Sequence, residues 1–237
     1  MKAMILAAGL GTRFKPWTDK HPKALAVING KNLLHRNIEY LQNAGIYDVI
    51  VNVHHFADQI EDAVQQNKGW GSNIIISDER DEVLETGGGL IKASKHLADD
   101  SFVLMNVDIL TGLDLRSMID SHRKLMPLAT LATTGRKTSR YFLFDHLDNL
   151  CGWKNVKTDE EKIMRETADK VPKAFSGIHV IDPRIFSLIK FDGKFSMVDV
   201  YLSLAESEII KSFDHSDTSF IDVGKPEAVA EAEKMFA

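Results

Sequence analysis

At 237 residues, with 44% hydrophobic and 27% charged side chains, the chain has the makeup of a soluble globular protein and can bury one large core, which excludes a disordered or membrane class. A net charge of −5 argues against a nucleic-acid partner, because phosphate-backbone binding rests on clustered excess cation. No apolar run approaches a membrane span, no cleavable leader is visible, and the one cysteine, Cys151, allows no internal disulfide; no membrane partner is expected, the cytoplasm is the expected compartment, and Cys151 reads as packing.

Residues 1–7 read as a short buried strand, and the loop after them carries Gly9, Gly11, Thr12 and Arg13. Glycines let backbone N–H groups approach anionic oxygens and form a concave nest, and an arginine stays charged at any working pH. The order strand, glycine-rich turn, basic residue makes a nucleoside triphosphate the leading ligand. It is not a Walker loop, since Arg13 is followed by Phe14 rather than by a Lys-Ser/Thr pair opening a helix. Nor is it a dinucleotide fingerprint, whose third glycine Phe14 denies. A turn that merely joins a strand to a helix is the plain alternative. Lys23, after the stiffening ring of Pro22, is a compact charge suited to phosphates, with a solvated surface lysine as the plain alternative.

Apolar runs at residues 49–53, 74–76 and 102–105 repeat the buried-strand pattern. Between them Leu34, Ile38 and Leu41 share one helical face, Ala57, Ile60 and Val64 a second, and Leu115, Met118, Ile119 and His122 a third. This alternation predicts an α/β fold with a right-handed, doubly wound, mostly parallel Rossmann-like sheet, its ligand at the C-terminal strand ends. Beyond residue 128 the rhythm changes. Residues 128–134 and 174–181 read as longer strands, 141–144 and 150–153 as a hairpin, 159–162 as a solvated loop or helix start, and 197–206 and 227–236 as helices.

Asp108 ends the run at 102–107 and Asp222 the run at 218–221, so both carboxylates should lie where such a sheet presents its ligands. Two hard oxygen donors at a phosphate site suit Mg²⁺, although either aspartate alone reads equally as a turn residue. Glu85, Thr86 and the glycines at 87–89 precede a helical pattern at 90–97, a placement that offers backbone access and free N–H groups or simply a flexible turn. His54 and His55 face opposite ways along a strand and make a poor metal pair. Trp17, Trp70 and Trp153 read as packing residues, and no Gly-x-Ser-x-Gly elbow is present.

Residues 6–18, followed by Pro22-Lys23-Ala24-Leu25, resemble without a gap the signature of the sugar 1-phosphate nucleotidyltransferase family, Leu-Ala-Ala-Gly-x-Gly-Thr-Arg-x-x-Pro-x-Thr and then Pro-Lys-x-Leu. Glu85-Thr86-Gly87-Gly88-Gly89, Asn106-Val107-Asp108, Phe175-Ser176-Gly177 and Phe220-Ile221-Asp222-Val223-Gly224 continue the resemblance along almost the whole chain. The form is most similar to bacterial N-acetylmuramate 1-phosphate uridylyltransferases and to short mannose 1-phosphate guanylyltransferase-like proteins. The resemblance implies a nucleotide-diphospho-sugar transferase fold in one domain, with a nucleotide-binding half at 1–127 and a smaller β-containing sugar-phosphate half at 128–237.

By the same resemblance Ala7, Ala8, Gly9, Gly11, Thr12, Asn52 and Gly88 bind the nucleotide, while Arg13 and Lys23 act on its phosphates. Asp108 and Asp222 hold Mg²⁺, with Asp108 counted as catalytic too, and Glu85, Thr86, Ser176 and Gly177 meet the sugar. The implied reaction moves a nucleoside monophosphate from a triphosphate, UTP favoured, to a sugar 1-phosphate, N-acetylmuramate 1-phosphate or a related hexose favoured, in cell wall recycling. A guanylyltransferase acting on mannose or heptose 1-phosphate, a cytidylyltransferase acting on phosphocholine and a nucleotide-binding subunit without turnover stay open, as does a homodimer. Two departures stand out. Val107 replaces the family's usual glycine, and Val171-Pro172-Lys173 stands where longer relatives carry Glu-Lys-Pro, so Lys173 receives no role.

Overall fold

In the computed structural model, which describes residues 1–236, the first strand β1 (Ala3–Leu6) leads through three short 3-10 turns to a two-residue-strand hairpin, β2 (Val27–Ile28) and β3 (Lys31–Asn32). Then α1 (Leu33–Asn43), β4 (Asp48–Val53), α2 (Ala57–Gln66), β5 (Asn73–Asp78), α3 (Glu85–Ala93) and β6 (Phe102–Asn106) alternate as the sequence pattern predicts. β1 pairs in parallel with β4 and β6, and β4 with β5. The strand period of two explains why these segments are apolar throughout. Ala3 and Ile5 of β1 face a core shared with α1 and α2, while Met4 and Leu6 face the opposite core, with Leu90 of α3. Each helix closes its first turn locally where a side chain allows it, as at Asn32, whose Oδ1 accepts the His35 amide at 2.7 Å.

The chain continues through β7 (Ile109–Thr111), α4 (Leu115–Leu125), β8 (Ala129–Thr134), β9 (Arg140–Phe144), β10 (Leu150–Asn155), β11 (Glu160–Ile163) and the long β12 (Val171–Ile181). It ends with α5 (Ile185–Leu188), α6 (Met197–Leu204), β13 (Ile210–Asp214), β14 (Phe220–Asp222) and α7 (Ala228–Met235). β12 lies antiparallel between β6 and β8, and β13 joins β8 in parallel. Two reversals restore direction, so β8 and β13 point the same way as β1, β4, β5 and β6, and the C-terminal ends of all six share one edge. At Gly177, with φ +75°, β12 bends. Its register with β8 shifts between Phe175 and His179, and its first residues pair instead with β9, carrying the β9–β10–β11 ribbon.

The charged run expected as a solvated loop or helix start is mostly β11. Glu160, Glu161 and Lys162 pair with β10 while their side chains stay exposed, and the Lys162 ammonium lies 5.6 Å over the Trp153 ring. A charged outer strand of this kind blocks further pairing at a sheet edge. α3 also starts earlier than expected, with all three glycines inside the helix. Cys151 is buried, as a packing residue should be. No helix among the described residues is long and apolar enough to cross a membrane.

His179 on β12 and Tyr201 on α6 are fully buried against each other, Nδ1 and the phenol oxygen 2.6 Å apart. Burial pushes the imidazole down to about 3. An unfolded histidine takes up its proton near pH 6.5, so between that value and about 3 the unfolded state binds the extra proton, and stability falls with pH by ~1.4 kcal/mol per unit from this residue. Urea melts taken at about pH 6.5 and about pH 5 are expected to show H179Q losing less stability over that step than the native chain. Equal losses would place the acid sensitivity elsewhere.

Candidate active site

The loop after β1 is held from below by one side chain. Asn52, at the C-terminal end of β4, accepts the Ala7 and Ala8 amides on Oδ1 at 2.7 and 3.3 Å, and its Nδ2 donates to Glu79 Oε1 at 2.8 Å. Glu79 is fully buried, its Oε2 meets no donor among the described residues, and burial holds its carboxyl above the usual range despite the bond from Asn52. α3 closes over this pair at Gly89, where a β-carbon would stand 2.6 Å from Glu79 Oε1 and 2.9 Å from Asn52 Nδ2. Asn52 borders the cavity, yet both ends of its amide are engaged by protein and it serves the loop.

With residues 7 and 8 fixed, the amides of residues 9–13 have no acceptor among the described residues, which leaves an array of unpaired donors. Gly11 makes the turn possible at φ +59°. A β-carbon there would stand 2.8 Å from Thr18 Cγ2, and Thr18 Oγ1 donates to the Gly11 carbonyl at 2.9 Å. Ala7, Ala8 and Gly9 line a cavity of about 370 Å³ with Asn52, Lys23, Asn106 and Asp108, whereas Gly11 and Thr12 lead the chain on to Arg13.

Glu85, at φ +60°, and Thr86 line the far wall of this cavity with Ser196. Thr86 Oγ1 accepts the Met197 amide at 2.8 Å and the Lys194 ammonium stands 3.8 Å from Glu85 Oε1, so this wall is tied to the start of α6. Gly88, expected at the nucleobase, does not border the cavity. It packs against the Gly193 carbonyl, because a helix that begins at Glu85 turns its fourth residue toward the loop before α6. The Gly87 amide donates to the Phe195 carbonyl at 2.9 Å on the same side.

Asp108 and Asp222, remote in sequence, meet through the antiparallel pair β7–β14, in which Asp222 stands opposite Ile109 and the Val223 amide donates to the Asp108 carbonyl at 2.8 Å. Lys23 forms an ion pair with Asp108 Oδ2, the two side chains only 14% and 13% exposed. Desolvation by the protein packed around its carboxyl, then the neighbouring Asp108 charge, holds Asp222 above the usual range against the pull of Lys23, Arg13 and Arg136. Gly224 is the floor under this group. A β-carbon there would lie 2.7 Å from Asp222 Oδ1 and 3.0 Å from Arg13 Nη2. Val107 fits in place of glycine because its side chain joins the core while its carbonyl accepts Asn37 Nδ2 at 2.7 Å.

Two carboxylates with hard oxygen donors are what the chain offers a cation here. A divalent ion that completes its shell from phosphate and water fits that set, and no cluster of three or more potential ligand side chains exists among the described residues. His54 Nδ1 lies 2.6 Å from the Glu79 carbonyl and His55 packs on Phe56, so neither histidine is poised as a ligand.

On the second half, Ser176 is 1% exposed and its hydroxyl is bonded to His215 Nε2 at 2.8 Å, which withdraws it from a sugar. Gly177 packs beneath Asn106, where a β-carbon would come within 2.7 Å of Nδ2, and so shapes the cavity through that residue. Lys173 is committed to Asp148 Oδ1 and Ser212 Oγ at 2.6 and 3.0 Å. Arg136, two residues past β8, was not singled out by sequence; its half-buried guanidinium lies 4.8 Å over the Phe220 ring, and its charge bears on Asp222. Its one sequence signal is its place just beyond an apolar strand on the ligand-bearing edge.

The family model described as nucleotidyl transferase matches residues 2–237. The chain is 30% identical over 243 residues to N-acetylmuramate alpha-1-phosphate uridylyltransferase from Caulobacter vibrioides, covering 99% of this chain and 96% of that protein. It is also 30% identical over 238 residues to D-glycero-alpha-D-manno-heptose 1-phosphate guanylyltransferase from Aneurinibacillus thermoaerophilus, covering 99% and 97%. The solved structure of HddC from Yersinia pseudotuberculosis complexed with GMP-PN matches with a TM-score of 0.79 at 26% identity, over 100% of this chain and 99% of its own. The chain belongs to the nucleotidyl transferase family, in the company of sugar 1-phosphate nucleotidyltransferases of its own length.

Proposed function

We propose that the protein transfers a nucleoside monophosphate from a nucleoside triphosphate to a sugar 1-phosphate, releasing pyrophosphate. The observation that carries this reading is the meeting of the free-amide loop, Arg13 and Lys23 with the Asp108–Asp222 pair on one sheet edge. An acceptor phosphate oxygen attacks the α-phosphorus, the new P–O bond forms, and the bond to the β-phosphate's bridging oxygen breaks with its electron pair leaving on pyrophosphate. A sugar phosphate is already an anion near neutral pH, so no general base is needed, and the chain's contribution is orientation and charge.

The loop amides and Arg13 hold the β- and γ-phosphates and receive the charge that gathers on the leaving group. Lys23, released from Asp108 as phosphate arrives, bears on the reacting phosphate. Asp108 and Asp222 would hold Mg²⁺, which when bound supplies charge neutralisation between the phosphates. Glu85 and Thr86 face the sugar or base from the far wall. UTP with N-acetylmuramate 1-phosphate, the pair acted on in cell wall recycling, is supported by the Glu-Thr-Gly-Gly-Gly segment and by the Caulobacter relative. GTP with a heptose or mannose 1-phosphate is the second reading, favoured by the Aneurinibacillus relative and by HddC.

Pyrophosphate release with Mg²⁺, measured for each common triphosphate against N-acetylmuramate, glucose, mannose and heptose 1-phosphates, is expected to single out one base and one sugar; silence across the panel would count against turnover. D108N and D222N should each lower that release by roughly 10²-fold or more, and a variant that keeps its rate would strip that residue of its metal role. N52A should raise the KM for the triphosphate and cost about 1–3 kcal/mol in urea unfolding, because two loop amides and Glu79 lose their partner. An unchanged triphosphate KM would mean that the loop keeps its shape without Asn52.

A further inference from the structure

The cations at the centre of the site are unevenly drawn from the chain. Arg13 and Lys23 come from the first half, and Lys23 is already paired with Asp108. A sugar 1-phosphate adds close to two negative charges to a site that holds two carboxylates and a triphosphate, so its entry side needs a cation of its own. On the second half, Lys173 is held by Asp148 and Ser212, Arg165 by the carbonyls of Ala205 and Glu206, and Lys137 and Arg140 are exposed.

Arg136 is placed differently. β8 runs parallel to β6, so the residues just past its end lie on the same edge as the phosphate loop and Asp108. The guanidinium is fixed by stacking over Phe220, two residues before Asp222, and by Nη2 donating to the Phe175 carbonyl at 2.6 Å. Among the described residues no other acceptor meets it, and Nε is buried without a partner. A half-buried guanidinium with one of its five donors engaged, held on an aromatic face where its charge bears on Asp222, is an anchor for a doubly charged oxyanion.

Resting on the reaction proposed above, we propose that Arg136 binds the phosphate of the incoming sugar 1-phosphate. It is thus a substrate-binding residue on the acceptor side, opposite Arg13 on the donor side.

The test is steady-state kinetics of R136Q and R136K with the wild type's preferred substrate pair. In R136Q the KM for the sugar 1-phosphate should rise roughly ten- to hundredfold, with the KM for the triphosphate and the Mg²⁺ half-saturation changed by less than about twofold, and R136K should recover part of the loss. An unchanged acceptor KM overturns the assignment. So does a rise confined to the Mg²⁺ half-saturation, which would make Arg136 a support for Asp222 only. If R136Q does not fold by circular dichroism, F220L, which removes the stacking platform, replaces it and should raise the acceptor KM in the same selective way. If the wild type turns over no pair, the reaction itself has failed, and Arg136 is judged by calorimetric titration of N-acetylmuramate 1-phosphate and mannose 1-phosphate. Weaker binding of either by R136Q than by wild type upholds it, and equal affinity or no binding overturns it.

Discussion

The bond between the Asn52 carboxamide and the amides of Ala7 and Ala8 is the constraint on which the site depends. A chain leaving a buried parallel strand has backbone donors to satisfy, and beginning a helix at once would leave its first four N–H groups without an intrahelical partner. Here a side chain from the neighbouring strand takes the first two donors, the helix is deferred, and the following donors stay free for a ligand. The amide has to face the right way for this. Glu79, able to accept from Nδ2, fixes that orientation, and the bare backbone of Gly89 lets α3 come close enough to keep water from the pair.

Charge is arranged on the same economical plan. Two strands of three paired residues each, β7 and β14, bring together carboxylates that repel each other, and cations from three separate segments offset that repulsion. Lys23, paired with Asp108, supplies positive charge where a metal ion would otherwise bring it, and so offsets part of the negative charge of the two carboxylates. Gly224 leaves room for both Arg13 and Asp222, since a β-carbon there would crowd each of the two side chains.

Much of this was legible in the sequence because it is local. The strands at 49–53 and 102–105, the loop glycines, and the strand-end positions of Asp108 and Asp222 follow from patterns within a dozen residues. What escaped is long-range. Three successive glycines read as a turn because glycine is a poor helix former, yet α3 includes them, since packing on Phe195, Gly193 and Glu79 leaves no room for β-carbons and overrides propensity. The run at 159–162 is polar on every side and gains its strand identity from β10 alone. Ser176 looked available until its partner His215 arrived from a distant segment, and Arg136 carries no motif at all.

The double reversal through β12 has a further consequence for how this architecture can vary. Because six strands end on one edge, the turns at 44–47, 67–72, 126–128, 182–184 and 205–209 all lie on the other. Insertions there lengthen the molecule's underside without displacing a donor atom above it, since loop closure rises only slowly with length. The two edges can therefore diversify separately, one tuned by single side chains around the phosphates and the other by whole segments.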